Sequence, residues 1–243
     1  MISVFRKEIA SFFSGPVGYL VSGSFLVLCG VFLWVFKGPF NIFENGFADL
    51  SLFFLLAPWV FLLLIPALSM KTFSEERKLG TLELLLSKPL PLSHLVLGKF
   101  LGVLALVLLC ILPTLLYVYT VWSLGSAPGN LDMGLVWGSY LGLILLMAAY
   151  TAIGLFASSL TENQIVAFLL ALVISFVMYF GFENAAALMR DGDSSLLIKT
   201  LGLKAHYEGI SKGVLDSRDA VYFLSISAFF LFLTGLQINT LRK

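Results

Sequence analysis

Charge is what this sequence has least of. Only 12% of its 243 residues are charged, about half the ~25% usual in a soluble domain. Six stretches hold no Asp, Glu, Lys or Arg: residues 17–36, 51–70, 100–122, 135–157, 164–181 and 220–238. The 15 basic and 14 acidic residues lie between or beyond them. Each stretch is 18 to 23 residues long, and crossing a bilayer core takes about 20 residues at 1.5 Å of rise each. A charge at mid-bilayer costs about 2.5–3.5 kcal/mol on insertion scales, so lipid would impose this partition. Soluble helices of that length carry a polar face instead. The pattern predicts an all-α integral membrane protein with six transmembrane helices in a single domain spanning residues 1–243.

Other absences narrow the function. Cysteine occurs twice, as Cys29 and Cys110, both inside apolar stretches, where a thiol reads as a small hydrophobe and not as a redox or metal group. Histidine also occurs twice. His94 and His206 fall outside the stretches and far apart, and both read as surface residues. No HExxH zinc motif and no nucleophile–base pair is present, so no catalytic, cofactor-binding or metal-binding residue is expected. Gly98-Lys99 imitates the end of a phosphate loop, but Ser93 and Phe100 stand where such a loop needs Gly and Ser/Thr. Ionisable groups within the spans, which mark proton or ion coupling, are missing too. Driving energy must then come from elsewhere, or the chain does no work. The net charge of +1 says little, and nothing resembles a nucleic-acid-binding patch, so no nucleic-acid partner is expected.

The charges that are present set an orientation. On one side of the membrane fall Arg6, Lys7, Lys71, Arg77, Lys78, Lys88, Lys99, Arg242 and Lys243. The other side holds Lys37 together with Arg190, Lys199, Lys204, Lys212 and Arg218, the last five diluted by acids. The positive-inside rule then places both termini in the cytoplasm. Trp34, Trp122, Trp137 and Tyr222 would sit at the outer interface, while Trp59 is expected to pack between helices. Residues 1–16 lack a cleavage site and read as an interfacial helix. Ile2, Phe5, Ile9, Phe12 and Phe13 share one face and Arg6, Lys7, Ser11 and Ser14 the other. Gly15-Pro16 ends that helix.

The loop 71–99 is the most informative segment. Glu75, Glu76, Arg77 and Lys78 extend the second span beyond the membrane, and Gly80 stops it. Thr81 is placed to cap a second short helix ending at Lys88, with Glu83 in its first turn and Pro89 and Pro91 as stops. Its leucines, Leu82, Leu84, Leu85 and Leu86, must face lipid or another protein. Ser93 could cap the next helix. A smaller polar turn between the fourth and fifth spans contains Ser158, Ser159, Leu160, Thr161, Glu162, Asn163 and Gln164, with capping-box spacing from Thr161 to Gln164. In the external segment 182–219, the apolar patch 196–203 is too short to cross and is expected to dip into the outer leaflet. Asp216 and Asp219 open the last span.

These motifs resemble the ABC type-2 transporter permease family. The likeness centres on Glu75-Glu76-Arg77, Gly80-Thr81-Leu82-Glu83-Leu84-Leu85-Leu86 and Pro89, and on Gly98-Lys99. Gly154, the turn from Ser159 to Gln164, Gly213, Asp219 and Tyr222 extend it over the whole chain. The resemblance implies that residues 81–88 form the coupling helix that docks on a separate ATPase subunit. It also implies that residues 1–16 form a connecting helix, that external helices are half-embedded, and that two permease halves make the working unit. Substrate would pass between the second and fifth spans of those halves. The run His206 to Asp219 is similar to the gliding-motility-associated permease subunit of gliding bacteria, which works with an auxiliary membrane subunit. It is also similar to the permease of nitrous-oxide reductase maturation. Exporter, bacterial inner membrane and gliding motility are thus the expectations; a membrane scaffold that moves no solute is the alternative.

The missing phosphate loop gives a direct test. The purified chain, free of partners, is expected to show no saturable ATP binding by equilibrium dialysis; a stoichiometric site would contradict it.

Overall fold

The computed structural model describes residues 1–47, 49–87, 91–125, 131–189, 192–214 and 216–242. Of the residues named above, Lys88, Pro89, Arg190 and Lys243 lie outside them. The described residues contain helices and no strand. They are α1 (Ile2–Phe13), α2 (Pro16–Gly30), α3 (Ile42–Asn45), α4 (Ser51–Ser69), α5 (Lys71–Lys78), α6 (Thr81–Leu86) and α7 (Leu92–Ile111). There follow α8 (Leu115–Leu124), α9 (Met133–Leu160), α10 (Gln164–Phe176), α11 (Phe182–Ala187), α12 (Gly192–Lys199), α13 (Leu203–Ser211) and α14 (Ser217–Leu241). Short π-helical turns, Val31–Val35 and Val177–Gly181, end α2 and α10, and a 3-10 turn, Leu112–Thr114, joins α7 to α8.

Six helical segments are long and apolar enough to cross a membrane: Gly18–Val35, Ser51–Lys78, Leu92–Leu124, Met133–Leu160, Gln164–Ala187 and Ser217–Leu241. They match the six expected spans, and the chain is a multi-pass membrane protein. Several bounds move outward. The third segment starts at Leu92, N-capped by Pro91, so Ser93 lies inside the helix and does not cap it. Lys99 therefore lies inside the helix of the third span. At 33 residues this segment is about 50 Å long by helical rise, more than the ~30 Å hydrocarbon thickness. It has room for a lysine near one end.

The central column is α9, against which α4, α5, α7, α10, α13 and α14 all pack. Small residues permit the close approach that drives helix association where lipid is as apolar as the side chains. A Cβ on Gly154 would lie 2.0 Å from Ser69 Oγ and 2.7 Å from Ser69 Cβ, so α4 and α9 touch almost backbone to backbone there. At the other end of α9, a Cβ on Gly142 would meet Ile210 Cγ2 at 2.7 Å, which seats α13 against the column.

Prolines shape α4. Pro58 has no N–H to give the carbonyl of Phe54 one turn back. That carbonyl instead accepts from the buried hydroxyl of Tyr207 at 2.7 Å, so α13 supplies the bond that the proline removed. The apolar patch at 196–203 divides: Leu196, Leu197 and Leu201 are exposed, while Leu203 is buried. His206 is not a free surface residue. Its Nδ1 lies 2.5 Å from Asp219 Oδ1 and its Nε2 2.8 Å from the Thr200 carbonyl oxygen, with its ring stacked on Tyr222. Asp216 caps α14 as expected by accepting from Arg218 N. Trp59 is half-exposed and lies on Phe180, ring centroids 4.3 Å apart, so it flanks the bundle and is not sandwiched within it. Cys29 and Cys110 are buried and free.

The glycine contact is open to test. Gly154→Ala is expected to destabilise the detergent-solubilised protein by about 1–3 kcal/mol, the usual cost of overpacking, read as a lower thermal midpoint. Adding Ser69→Gly should restore it; failure to do so would mean that this contact does not limit packing.

Candidate functional site: the charged end of the bundle

The described ends of the chain and the described residues of the loop 71–99 lie at one end of the bundle, for Asn239 of α14 lines a groove with Leu92 and Ser93 of α7 and α1 packs on α7. Here α4 passes through Met70 into α5, which projects beyond the apolar segment. Gly80 adopts φ 67°, the left-handed conformation that favours glycine, and turns the chain into α6.

Local capping differs from the expectation. Gly80, not Thr81, is the N-cap of α6. The Thr81 hydroxyl donates back to the Glu76 carbonyl at 3.3 Å, clamping α6 to α5. Leu82 and Leu86, one turn apart, face inward and are buried, whereas Leu84 and the preceding Leu79 are about two-thirds exposed. Leu85 is intermediate and Glu83 is exposed. The four leucines therefore do not act alike.

The second polar turn comes to the same place. Arg77 Nη1 donates to the Ser159 carbonyl at 2.7 Å, and Nη2 lies 3.5 Å from Glu162 Oε1. The Ser158 hydroxyl accepts from the backbone N–H groups of Phe73 and Ser74 at 3.0 and 3.1 Å and donates to the Met70 carbonyl at 2.8 Å. It thus bridges the junction of α4 and α5 to the end of α9. No capping box forms from Thr161 to Gln164. Asn163 is the N-cap of α10, its side chain accepting from Ile165 N and Val166 N, and Thr161 Oγ1 accepts from Asn163 N. The N-cap needs a side-chain acceptor one residue before the helix, and Gln164 is already its first residue.

The charges at this end form a chain. Lys99 Nζ, with its side chain 1% exposed, lies 2.8 Å from Glu8 Oε1 and 3.0 Å from Glu76 Oε2. It also donates to the Thr72 carbonyl at 2.6 Å and sits 4.9 Å from the centre of the Phe73 ring. Lys7 Nζ reaches Glu76 Oε1 at 2.8 Å. Partial burial works against the Lys7 cation, but the hydrogen bond and charge of Glu76, then the charge of Glu8, outweigh it and raise its pKa above the usual lysine value. Four side chains from α1, α5 and α7 are thereby joined.

Glycines make that junction possible. A Cβ on Gly98 would lie 2.9 Å from Val4 Cβ, and one on Gly102 would lie 2.7 Å from Glu8 Cβ. Gly98-Lys99 thus provides a close helix crossing and a buried cation, not a phosphate site. Glu8 carries no signal in an amphipathic reading of α1, yet Val4, Glu8 and Phe12 form its buried face while Ile2 is exposed. Val4, Glu8 and Phe12 recur every four residues, but that this side of α1 is the buried one depends on Lys99, 91 residues away. Glu75 is exposed beside them and makes none of these contacts. Among the described residues, no group of three or more His, Cys, Asp or Glu could hold a metal ion.

Six spans packed on a central helix, with a structured polar block at one end, define a multi-pass membrane-embedded helical bundle. Residues 10–235 match the family model described as ABC-2 family transporter protein, and the chain belongs to that family. It is accordingly the transmembrane component of an ABC transporter, of a family that works with an ATPase subunit and a partner permease. No curated protein matches the sequence.

Removing one member of a buried ion pair costs about 3–5 kcal/mol, because the partner is left charged and unpaired. Lys99→Met is therefore expected to lower the thermal midpoint of the solubilised protein sharply, with Glu8→Gln in the same chain recovering part of the loss. An unchanged midpoint for the single variant would show that the amine does not hold the helices together.

Proposed function

We propose that this chain is the permease half of an ABC exporter and that α6 is its coupling helix, docking on a separate ATPase. The observation that carries the reading is the division of labour within α5 and α6. Leu82 and Leu86 anchor the helix to its own bundle, while Leu79 and Leu84 stand exposed at the charged end. Leucines left outside the bundle beside Glu75, Lys78 and Glu83 suit a protein groove better than water. Arg77, Ser158 and Lys99 tie the same block to α9, α1 and α7, so a push on α6 would be passed to the spans.

On this reading the charged end is cytoplasmic, with both termini there, in agreement with the basic residues collected on that side. The membrane is the bacterial inner membrane, α1 is the connecting helix, and α11 to α13 are half-embedded external helices. The resemblance of the run His206 to Asp219 supports a place in a gliding-motility system, with an auxiliary membrane subunit beside the ATPase and the second permease.

Burying an unpaired charge costs several kcal/mol, on the order of a hundredfold or more in affinity. Leu84→Arg should leave expression and thermal stability near wild type, since Leu84 is exposed, yet abolish recovery of the ATPase in a pull-down at matched membrane levels. Leu82→Arg should instead damage folding. Undiminished ATPase recovery with Leu84→Arg would remove α6 from the interface.

A further inference from the structure

The break between α4 and α5 has no cause in its own sequence. Residues 67–78 hold neither glycine nor proline, and Met70, where the two helices part, keeps helical dihedrals of φ −55° and ψ −34°. Pro66 lies one turn earlier, and its missing N–H concerns the Leu62 carbonyl, not the bonds beyond Met70. What interrupts the helix comes from α9. In an unbroken helix the N–H groups of Phe73 and Ser74 would bond the carbonyls of Ser69 and Met70. Here both donate to Ser158 Oγ, at 3.0 and 3.1 Å, and the same hydroxyl donates to the Met70 carbonyl at 2.8 Å. A side chain set into the backbone ladder is one of the few physical causes of a break in a helix.

Ser158 reaches the backbone of its neighbour because the two helices are already close. It stands one turn beyond Gly154, whose missing side chain brings α9 against Ser69. Ser158, Phe73 and Ser74 are all fully buried, so a bare polar group among them would be costly. Yet every group in the insertion has a second partner at hand. If the hydroxyl withdrew, the N–H groups of Phe73 and Ser74 would fall to the Ser69 and Met70 carbonyls, since Met70 is helical already. Ser158 would fall to the Gly154 carbonyl of its own helix, the back-bond available to serines in membrane spans. Ser69 makes such a bond to the Ile65 carbonyl at 2.8 Å. Neither arrangement leaves a buried group bare, which is the condition for two packings of similar free energy.

Resting on the permease reading above, we infer that Ser158 is the positioning residue of a two-state hinge between the coupling block and the second span. With the hydroxyl inserted, α5 is held on α9. With it withdrawn, α4 and α5 run on as one helix and α5 parts from α9. Arg77 then gives up the Ser159 carbonyl and Glu162, whose side chain is 63% exposed and readily takes water instead. The Lys99 junction stays closed, because the groups that meet there come from α1, α5 and α7 and none from α9. The hinge thus separates the end of α9 from a unit of three helices.

The test uses the purified full chain in mild detergent, with Cys29→Ala and Cys110→Ala, and with reporter thiols introduced by Arg77→Cys and Glu162→Cys. A short bis-maleimide measures how readily the two reporters meet, and hydrogen–deuterium exchange with mass spectrometry follows the amides of α5. Adding Ser158→Ala is expected to slow cross-linking at least threefold while α5 exchange stays within threefold, since the helix closes its own bonds. A smaller change in cross-linking would overturn the proposal, for α5 would then be held without the hydroxyl. Faster exchange than that in α5, or loss of the folded protein, would overturn it as well. Ser158 would then be a fixed cap for N–H groups that have no other partner. No ATPase takes part, so failure here leaves the pull-down with Leu84→Arg to decide the permease reading by itself.

Discussion

An ammonium group taken out of water must find its counter-charges inside the protein, and Lys99 meets that requirement with groups from two other helices. Its carboxylate partners, Glu8 and Glu76, come from α1 and α5, and its carbonyl partner from Thr72. The geometry can be met only if all three helices keep their places. Much of the charged end follows from that condition: the glycines of α7 that let α1 approach, the second acid that holds Lys7, and the turn of α5 that brings Glu76 inward. Buried ion pairs are weak contributors to net stability but costly to break, and this one fixes relative position.

Fixed position matters because α5 and α6 lie at the charged end of the bundle, with one face buried against it and Leu79 and Leu84 exposed on the other. Had they been joined only through Met70, a force on α6 would bend the chain there and dissipate. Instead Ser158 bridges the bend, Arg77 grips the end of α9, and Lys99 reaches from α7. These contacts join α5 and α6 to α9, α1 and α7 at three points beyond Met70. The far end is organised differently. Its short helices are tied by the pairs His206–Asp219 and Lys204–Glu183, and Lys204 also lines a cavity of about 480 Å³ at the end where α4 begins.

The spans were legible in the sequence because lipid enforces a simple rule: charge is excluded, and a span of given length follows. Gly80 was legible for a similar reason, since few residues adopt its backbone conformation. Caps were misread where several polar residues adjoin. Thr81, Thr161 and Ser93 each had a suitable side chain, but Gly80, Asn163 and Pro91 occupy the N-cap positions. The face of α1 was misread for a deeper reason. An amphipathic pattern assumes a flat apolar partner, and it counts an acid as solvent-facing. Glu8 faces inward because a lysine 91 residues away waits there, information that no local window contains. The division of the α6 leucines was hidden likewise, since it depends on what the helix rests against.

The bond from Tyr207 to the Phe54 carbonyl has a consequence for how the sequence can drift. While Pro58 is present, that carbonyl has no donor within its own helix, and loss of the phenol would leave it bare. Were Pro58 first replaced by a residue with an N–H, the helix could close its own bond and the phenol would become dispensable. The two positions are thus open to change in one order only, proline before tyrosine, and the reverse path passes through a bare carbonyl in a nearly anhydrous interior.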